Sequence, residues 1–425
     1  MTVGIDDADG RQLRRAVRRN TVLLSAAMAV LSGAQQLVAA VATLTFVLVT
    51  GIEGLLGLGP AIFLVTAAVS AVPAGRAMDR FGRVPVLAGG FALGVAGGLT
   101  TALGARTVSA PAVILGFVLV GAASGIVFLT RAAAGDMYPP ERRARGIAYV
   151  LSGAVFGAVL GPAVFSPLVA GRELDAAALA VPWLAGAGFM AVGLALTLAI
   201  RPDPKAIAES IAPRRDGGDA PAPAAALATI LARRGVLAAL LAALASFGVM
   251  VSVMNLVGYA VVNEHGHHQS DVFPIIGAHV LGMFALVLVV GAVIDRLGTT
   301  TALVGGLGLM AISCAGLVWG ESVLATAALL FGLGLGWNVS FVAATAALIA
   351  ATSPAERGKL LGFNDLLSSM LAASLALVGG YALQALGVIA LGAGAAALVL
   401  VPAAYIAARG LRAPRPALSA PAERG

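Results

Sequence analysis

The chain has 425 residues, of which 60% are hydrophobic and only 11% charged, with 54 glycines. A soluble domain keeps a charged surface, so this balance excludes a water-surrounded globular protein and points to lipid as the solvent. The formal charge of +7 raises the question of a polyanionic partner. With the N-terminus inside, however, every Lys and Arg except Arg106 and Arg172 falls at or near the cytoplasmic side, which is the positive-inside signature rather than nucleic-acid binding.

Residues 1–20, with Arg11, Arg14, Arg15, Arg18 and Arg19, read as a cytoplasmic tail, and the apolar run that follows is too long for a signal-peptide core. A spanning helix needs about 20 apolar residues. Charge-free runs of that length fall at 20–52, 54–75, 84–105, 107–130, 146–171, 176–200, 235–263, 272–294, 297–320 and 322–355. The last stretch, 366–408, is too long for one helix and is expected to hold two spans joined by a turn near Gly387. The expectation is therefore an all-α membrane protein of twelve transmembrane helices. They would form a first six-helix bundle over 21–200 and a second over 235–408. Between them 201–234, rich in Pro and mixed charge, reads as a cytoplasmic linker, and 409–425 as a disordered cytoplasmic tail. The lone cysteine, Cys314, excludes an intrachain disulfide and reads as a small buried side chain.

The halves carry matching motifs. Gly75, Asp79, Arg80 and Gly82 follow span two, and Gly291, Asp295, Arg296 and Gly298 follow span eight, 216 residues on at all four positions. A second pair, Pro139-Pro140-Glu141-Arg142 and Pro354-Ala355-Glu356-Arg357, follows spans four and ten. Short motifs at equivalent places in two six-span halves indicate duplication, the layout of transporters built from parallel repeats.

The run Gly75, Asp79, Arg80, Gly82 and Arg83 resembles the GxxxDRxGR motif of the major facilitator superfamily, with Val84 where a second basic residue is common. The resemblance covers roughly residues 20–408. It implies two six-helix bundles around a central cavity, alternating access, and a cytoplasmic latch in which Asp79 packs near a helix end of the other half while the arginines join a carboxylate at the end of span four. Asp136 stands at that place. The alternative is a charged turn obeying only the positive-inside rule.

Span five carries Gly153, Gly157, Gly161 and Pro162, similar to the antiporter-associated GxxxGP motif of drug and metabolite exporters, although Ser166 stands where glycine is common. Spacing by four also serves plain close packing of helices. Two further features of such exporters are missing. Span four has no arginine before Arg131, and spans one and seven have no carboxylate.

Polar side chains deep inside spans should face the interior or a cavity. Gln35, Gln36, Asn255, Tyr259 and Asn338 are the candidates for substrate contact, with interhelical hydrogen bonding as the alternative role. Asp365, with Lys359 nearby as an ion-pair partner, and His279 are the candidates for proton coupling. Glu264, His265, His267 and His268 form an outer loop that reads as solvated, and no metal site is expected. The chain has no ATP-binding loop, no HExxH and no nucleophile elbow, so neither an enzyme nor a primary pump is expected, and no cofactor. The reading is a monomeric plasma-membrane secondary transporter with both termini cytoplasmic. Its partners are a small-molecule substrate, a proton or other ion gradient, and the bilayer. Proton-coupled efflux of small, partly lipophilic molecules is favoured. Uptake of a polar metabolite and a non-transporting sensor or scaffold are the rivals.

Overall fold

A computed structural model describes residues 7–52, 55–139, 142–172, 174–211, 225–352 and 354–409, though not the side chains at 7–9, 143–144, 288, 292, 295, 354–355 and 357–358. The tail beyond Arg409, residues 212–224 of the linker, and Pro140 and Glu141 lie outside the described residues. Among those described there is no strand.

The first half runs α1 (Asp7–Thr50), α2 (Leu58–Phe81), α3 (Arg83–Arg106), α4 (Ala110–Val127) with α5 (Thr130–Asp136), α6 (Arg143–Leu151) with α7 (Gly153–Val169), and α8 (Ala180–Leu198). Two short helices follow, α9 (Pro204–Ile211) and α10 (Leu227–Leu231). The second half runs α11 (Val236–Asn263), α12 (Gln269–Phe284) with α13 (Val287–Leu297), α14 (Thr299–Gly316), α15 (Val323–Ala350) and α16 (Pro354–Arg409). Ten helices are long and apolar enough to cross a bilayer. Two more crossings complete the twelve. One is α12 with α13, broken at Ala285 and Leu286; the other arises because Gly387, at φ 74°, splits α16 into 354–386 and 388–409. Only glycine adopts that φ without strain, so the expected turn falls on the expected residue. α1 differs from expectation at its start, continuing back to Asp7. Residues 11–19 hold no Gly or Pro to stop a helix, and Asn20 Nδ2 donates to Pro202 O at 2.9 Å, which ties this extension to the segment after α8.

Within the first bundle α3 packs on α4 and α8, α2 on α4, and α1 on α7 and α8; within the second, α11 packs on α16, α12 on α15, and α14 on α15 and α16. The bundles meet through α7 with α12, α2 with α16, and α1 with α11 and α12. Spans five with eight and two with eleven are the same pairing under exchange of the repeats. Large apolar side chains such as Phe156, Ile312, Leu324 and Val401 are exposed on the outside, as lipid-facing positions should be.

The meeting surface is concentrated at the end of the molecule that carries Gly387. A Cβ on Gly57, which caps α2, would lie 1.8 Å from Ala376 O, and one on Gly380 would lie 2.4 Å from Gly57 N. Nearby, Gln269 Nε2 donates to Ala40 O at 2.7 Å, Ser166 Oγ to Ser270 O at 2.9 Å, and Phe165 stacks on Phe273 at 6.1 Å. Toward the opposite end, which carries Arg83, one described ion pair joins the bundles, Arg131 with Asp365.

Candidate transport cavity

At the Arg83 end, Gly82 (φ 97°) turns the chain between α2 and α3. Arg83 reaches from there to two acids: Nε to Asp136 Oδ2 at 2.8 Å and Nη1 to Asp79 Oδ1 at 3.1 Å. The sequence reading missed a third acid. Asp203, just ahead of α9, accepts from the backbone N–H of Arg83 at 3.0 Å and of Val84 at 2.8 Å, so its carboxylate sits on the positive N-terminus of α3. Lys205 Nζ donates to Asp79 O at 2.6 Å. The available signal was an aspartate between Pro202 and Pro204 directly after a span, the composition of a helix start.

All these contacts stay within the first half and the segment that directly follows it. Asp79 is largely exposed, and its described polar contacts go to Arg83 and Lys205, so in this conformation they do not form the bridge between bundles that the resemblance implies. Arg80 is exposed beside Phe81. A Cβ on Gly75 or on Gly291 would meet nothing within 4 Å, so close helix approach is absent at both. The second motif repeats the turn, with Gly298 at φ 81° and Arg296 exposed. The acid of the other repeated motif, Glu356, is buried and bidentate to Arg233, Nη1 to Oε2 at 2.7 Å and Nη2 to Oε1 at 2.8 Å. Hydrogen bonding to Glu356 raises the Arg233 guanidinium above its ordinary value.

In span five, Cβ atoms on Gly153, Gly157 and Gly161 would fall 2.1 Å from Ser25 O, 2.5 Å from Ala29 O and 2.7 Å from Gln36 Nε2, all on α1. The stripe thus lets α7 lie directly on α1. Pro162 faces the second half, with its Cγ 2.9 Å from a Cβ built on Gly277 of α12.

Between the bundles lies a cavity of about 410 Å³, lined by α1, α2, α4–α6, α11–α13, α15 and α16. It falls within the usual range for a small-molecule site. Most of the lining is apolar and aromatic, including Phe63, Phe128, Phe247, Phe284, Trp337 and Phe341. Trp337 stacks on Phe341 with centroids 5.0 Å apart at 22° and meets Phe284 edge-on at 6.1 Å.

Four of the five polar candidates line this cavity. Gln35 Nε2 donates to Ser124 Oγ at 3.1 Å. Gln36 is more deeply buried, its Nε2 donating to Gly157 O at 2.6 Å while Oε1 has no protein partner. Asn255 Nδ2 donates to Val251 O at 2.7 Å. Asn338 Nδ2 donates to Met283 O at 2.5 Å, a carbonyl beside the break between α12 and α13. Tyr259 is a correction: it is not among the lining residues, because it lies one turn beyond Asn255 and packs against the apolar core.

Of the two titratable candidates, only Asp365 lines the cavity. It approaches Arg131 at 3.5 Å rather than Lys359, whose Nζ donates to Ala225 O at 2.9 Å. Sequence spacing suggested Lys359, six residues away; the fold instead brings Arg131 of α5 to Asp365 from the other bundle. His279 is a second correction. It is fully buried off the cavity, with Nδ1 2.8 Å from Leu330 O, because Gly282 and Gly334 bring α12 and α15 into backbone contact around it. In the outer loop, His267 contacts Glu321 O at 2.5 Å and Glu264 accepts from Val388 N at 2.8 Å. No metal-binding group occurs among the described residues.

An all-helical chain of twelve crossings in two repeat-related bundles, with a cavity between them, defines a multi-pass membrane carrier rather than an enzyme. The Major Facilitator Superfamily profile matches residues 22–340, and the chain belongs to that family. It is similar to the uncharacterized MFS-type transporter YdeG of Bacillus subtilis (strain 168), 30% identical over 359 residues and 83% of each chain. It is also similar to the riboflavin transporter RfnT of Brucella anthropi, 30% identical over 361 residues, 82% of this chain and 85% of that one. Among solved structures, the partially occluded inward open xylose transporter XylE from E. coli aligns with a TM-score of 0.71 over 93% of this chain and 98% of that one, at 13% identity.

Proposed function

We propose that the protein works by alternating access in the plasma membrane. The Arg83 end and both termini would face the cytoplasm, and small, partly lipophilic molecules would be exported in exchange for protons. The observation that carries the reading is a largely apolar cavity between the bundles, shut at the Gly387 end by backbone contact and holding one carboxylate among its described lining residues, Asp365. The placement of Lys and Arg supports the orientation. Asp365 is the proton site in this reading. Gly75, Asp79, Arg80, Gly82, Arg83 and Asp136, with their counterparts Gly291, Asp295, Arg296 and Gly298, are the cytoplasmic gate that closes when the cavity faces outward.

A second reading is uptake of a flat, more polar metabolite. It is favoured by the likeness to a riboflavin transporter and by the Trp337–Phe341 stack on the cavity wall.

Purified protein in vesicles with an imposed pH gradient separates the two. Flux of fluorescent lipophilic compounds against the proton flow, lost in Asp365→Asn, is expected for export. Riboflavin moving with the proton flow would establish the second reading, and no flux of any compound under either gradient would overturn both.

A further inference from the structure

We infer that Arg131 is the docking site for the anionic group of a flat aromatic ligand, and that Asp365 occupies this site until the ligand displaces it. The inference rests on reading the cavity as the transport site.

A guanidinium carries five N–H donors and is always charged, so burial against apolar groups leaves a large demand for acceptors. Elsewhere in this protein that demand is met. Arg83 reaches two carboxylates and Met78 O, and Arg233 reaches both oxygens of Glu356 and Ala351 O, all between 2.7 and 3.1 Å. Arg131 is different. Its side chain is only 30% exposed, and its described polar contact is the 3.5 Å approach of Nη2 to Asp365 Oδ2. That is well beyond the ~2.8 Å of a charge-assisted hydrogen bond. The Asp365 side chain is 53% exposed and therefore still largely solvated, which makes the pair loose and replaceable.

The guanidinium is also held in place. Its Cζ lies 4.3 Å over the Phe128 ring, which fixes the plane of the fork without using any N–H. Arg131 is the one Lys or Arg among the described lining residues, and Asp365 the one acid. Most of the rest of the wall is apolar and aromatic, and it supplies a flat surface at Trp337 and Phe341. A cation would meet Arg131 as a like charge. A neutral polar molecule could accept from the donors but would leave the charge uncompensated. A carboxylate on an aromatic ring satisfies both parts, pairing in the forked geometry while the ring occupies the apolar wall.

The sign of one effect makes this testable. Asp365 competes with the ligand, so removing its charge should tighten binding of an aromatic anion, which damage to the fold does not produce. The probes are 2-naphthoate and its uncharged amide, naphthalene-2-carboxamide. Their affinities would be measured by calorimetry on the full-length protein in lipid nanodiscs, for wild type, Arg131→Gln, Arg131→Lys and Asp365→Asn. We expect 2-naphthoate to bind about tenfold or more weakly to Arg131→Gln, with partial recovery in Arg131→Lys, and several-fold more tightly to Asp365→Asn. The amide should be indifferent to all three changes. Naphthoate affinity unchanged in Arg131→Gln, or weakened in Asp365→Asn, would overturn the inference. Naphthoate flux into vesicles keeps the two claims apart: Arg131-dependent binding without flux in either direction defeats the transport reading alone, and flux insensitive to Arg131→Gln defeats the docking site alone.

Discussion

Asp203 shows how one side chain can organise a charged turn. Its two oxygens take the N–H groups of Arg83 and Val84, which no intrahelical partner would otherwise reach, and this fixes where Arg83 begins its path to Asp136. Asp203→Ala should therefore cost about 1–2 kcal/mol, the range for loss of a helix cap. It should also slow transport by letting Arg83 wander, whereas Asp203→Asn, which keeps an acceptor, should retain most of the stability. Thermal unfolding in detergent beside initial transport rates checks both. The glycines make a contrasting pair. A valine at Gly157 would drive into Ala29 O and Ser32 and should lower folded yield and melting temperature, whereas Gly75→Ala has open space and should leave the melting temperature unchanged. Motif residues were legible because their types and spacing are local. Which of Gln35 and Gln36 faces the cavity more openly, and that Arg131 rather than Lys359 meets Asp365, depends on how distant helices rotate against each other.

At the scale of the helix, span eight is the least regular crossing. The α12 ladder stops at Phe284 and α13 begins at Val287, so Met283 O is left beside the cavity without its usual helical donor, and Asn338 from α15 supplies one. Asn338→Leu should orphan that carbonyl at a cost of about 1–3 kcal/mol. The expected result is a lower melting temperature together with weaker binding of any transported compound, whereas Asn338→Gln should do less harm. Nothing in 281–290 announces the break: there is no proline there, and the one glycine before it, Gly282, serves contact with Phe331 O. The run of charge-free residues gave the crossing its place, while its interruption is a tertiary effect. By contrast, the turn in the long final stretch was readable, because an over-long apolar run needs a reversal and Gly387 has the backbone freedom for it.

Across the whole molecule, the bundles touch at the Gly387 end and part toward Arg83, so a change at the touching surface should shift the balance between the two faces. Gly57→Val or Gly380→Val would force α2 and α16 apart. With Ser369, on the cavity wall, replaced by cysteine, a membrane-impermeant thiol reagent should label the parent from the Arg83 side. In the glycine variants that labelling should fall and labelling from the opposite side should rise. The native Cys314 is buried and should stay silent. The same seal has a further consequence for a cell that maintains a proton gradient. Where main chain lies against main chain, with Gly57 on Ala376 and Gly380, there is no side chain between the two backbones to swing aside and leave a thread of water, so the protein at rest should hold the membrane voltage instead of bleeding it away.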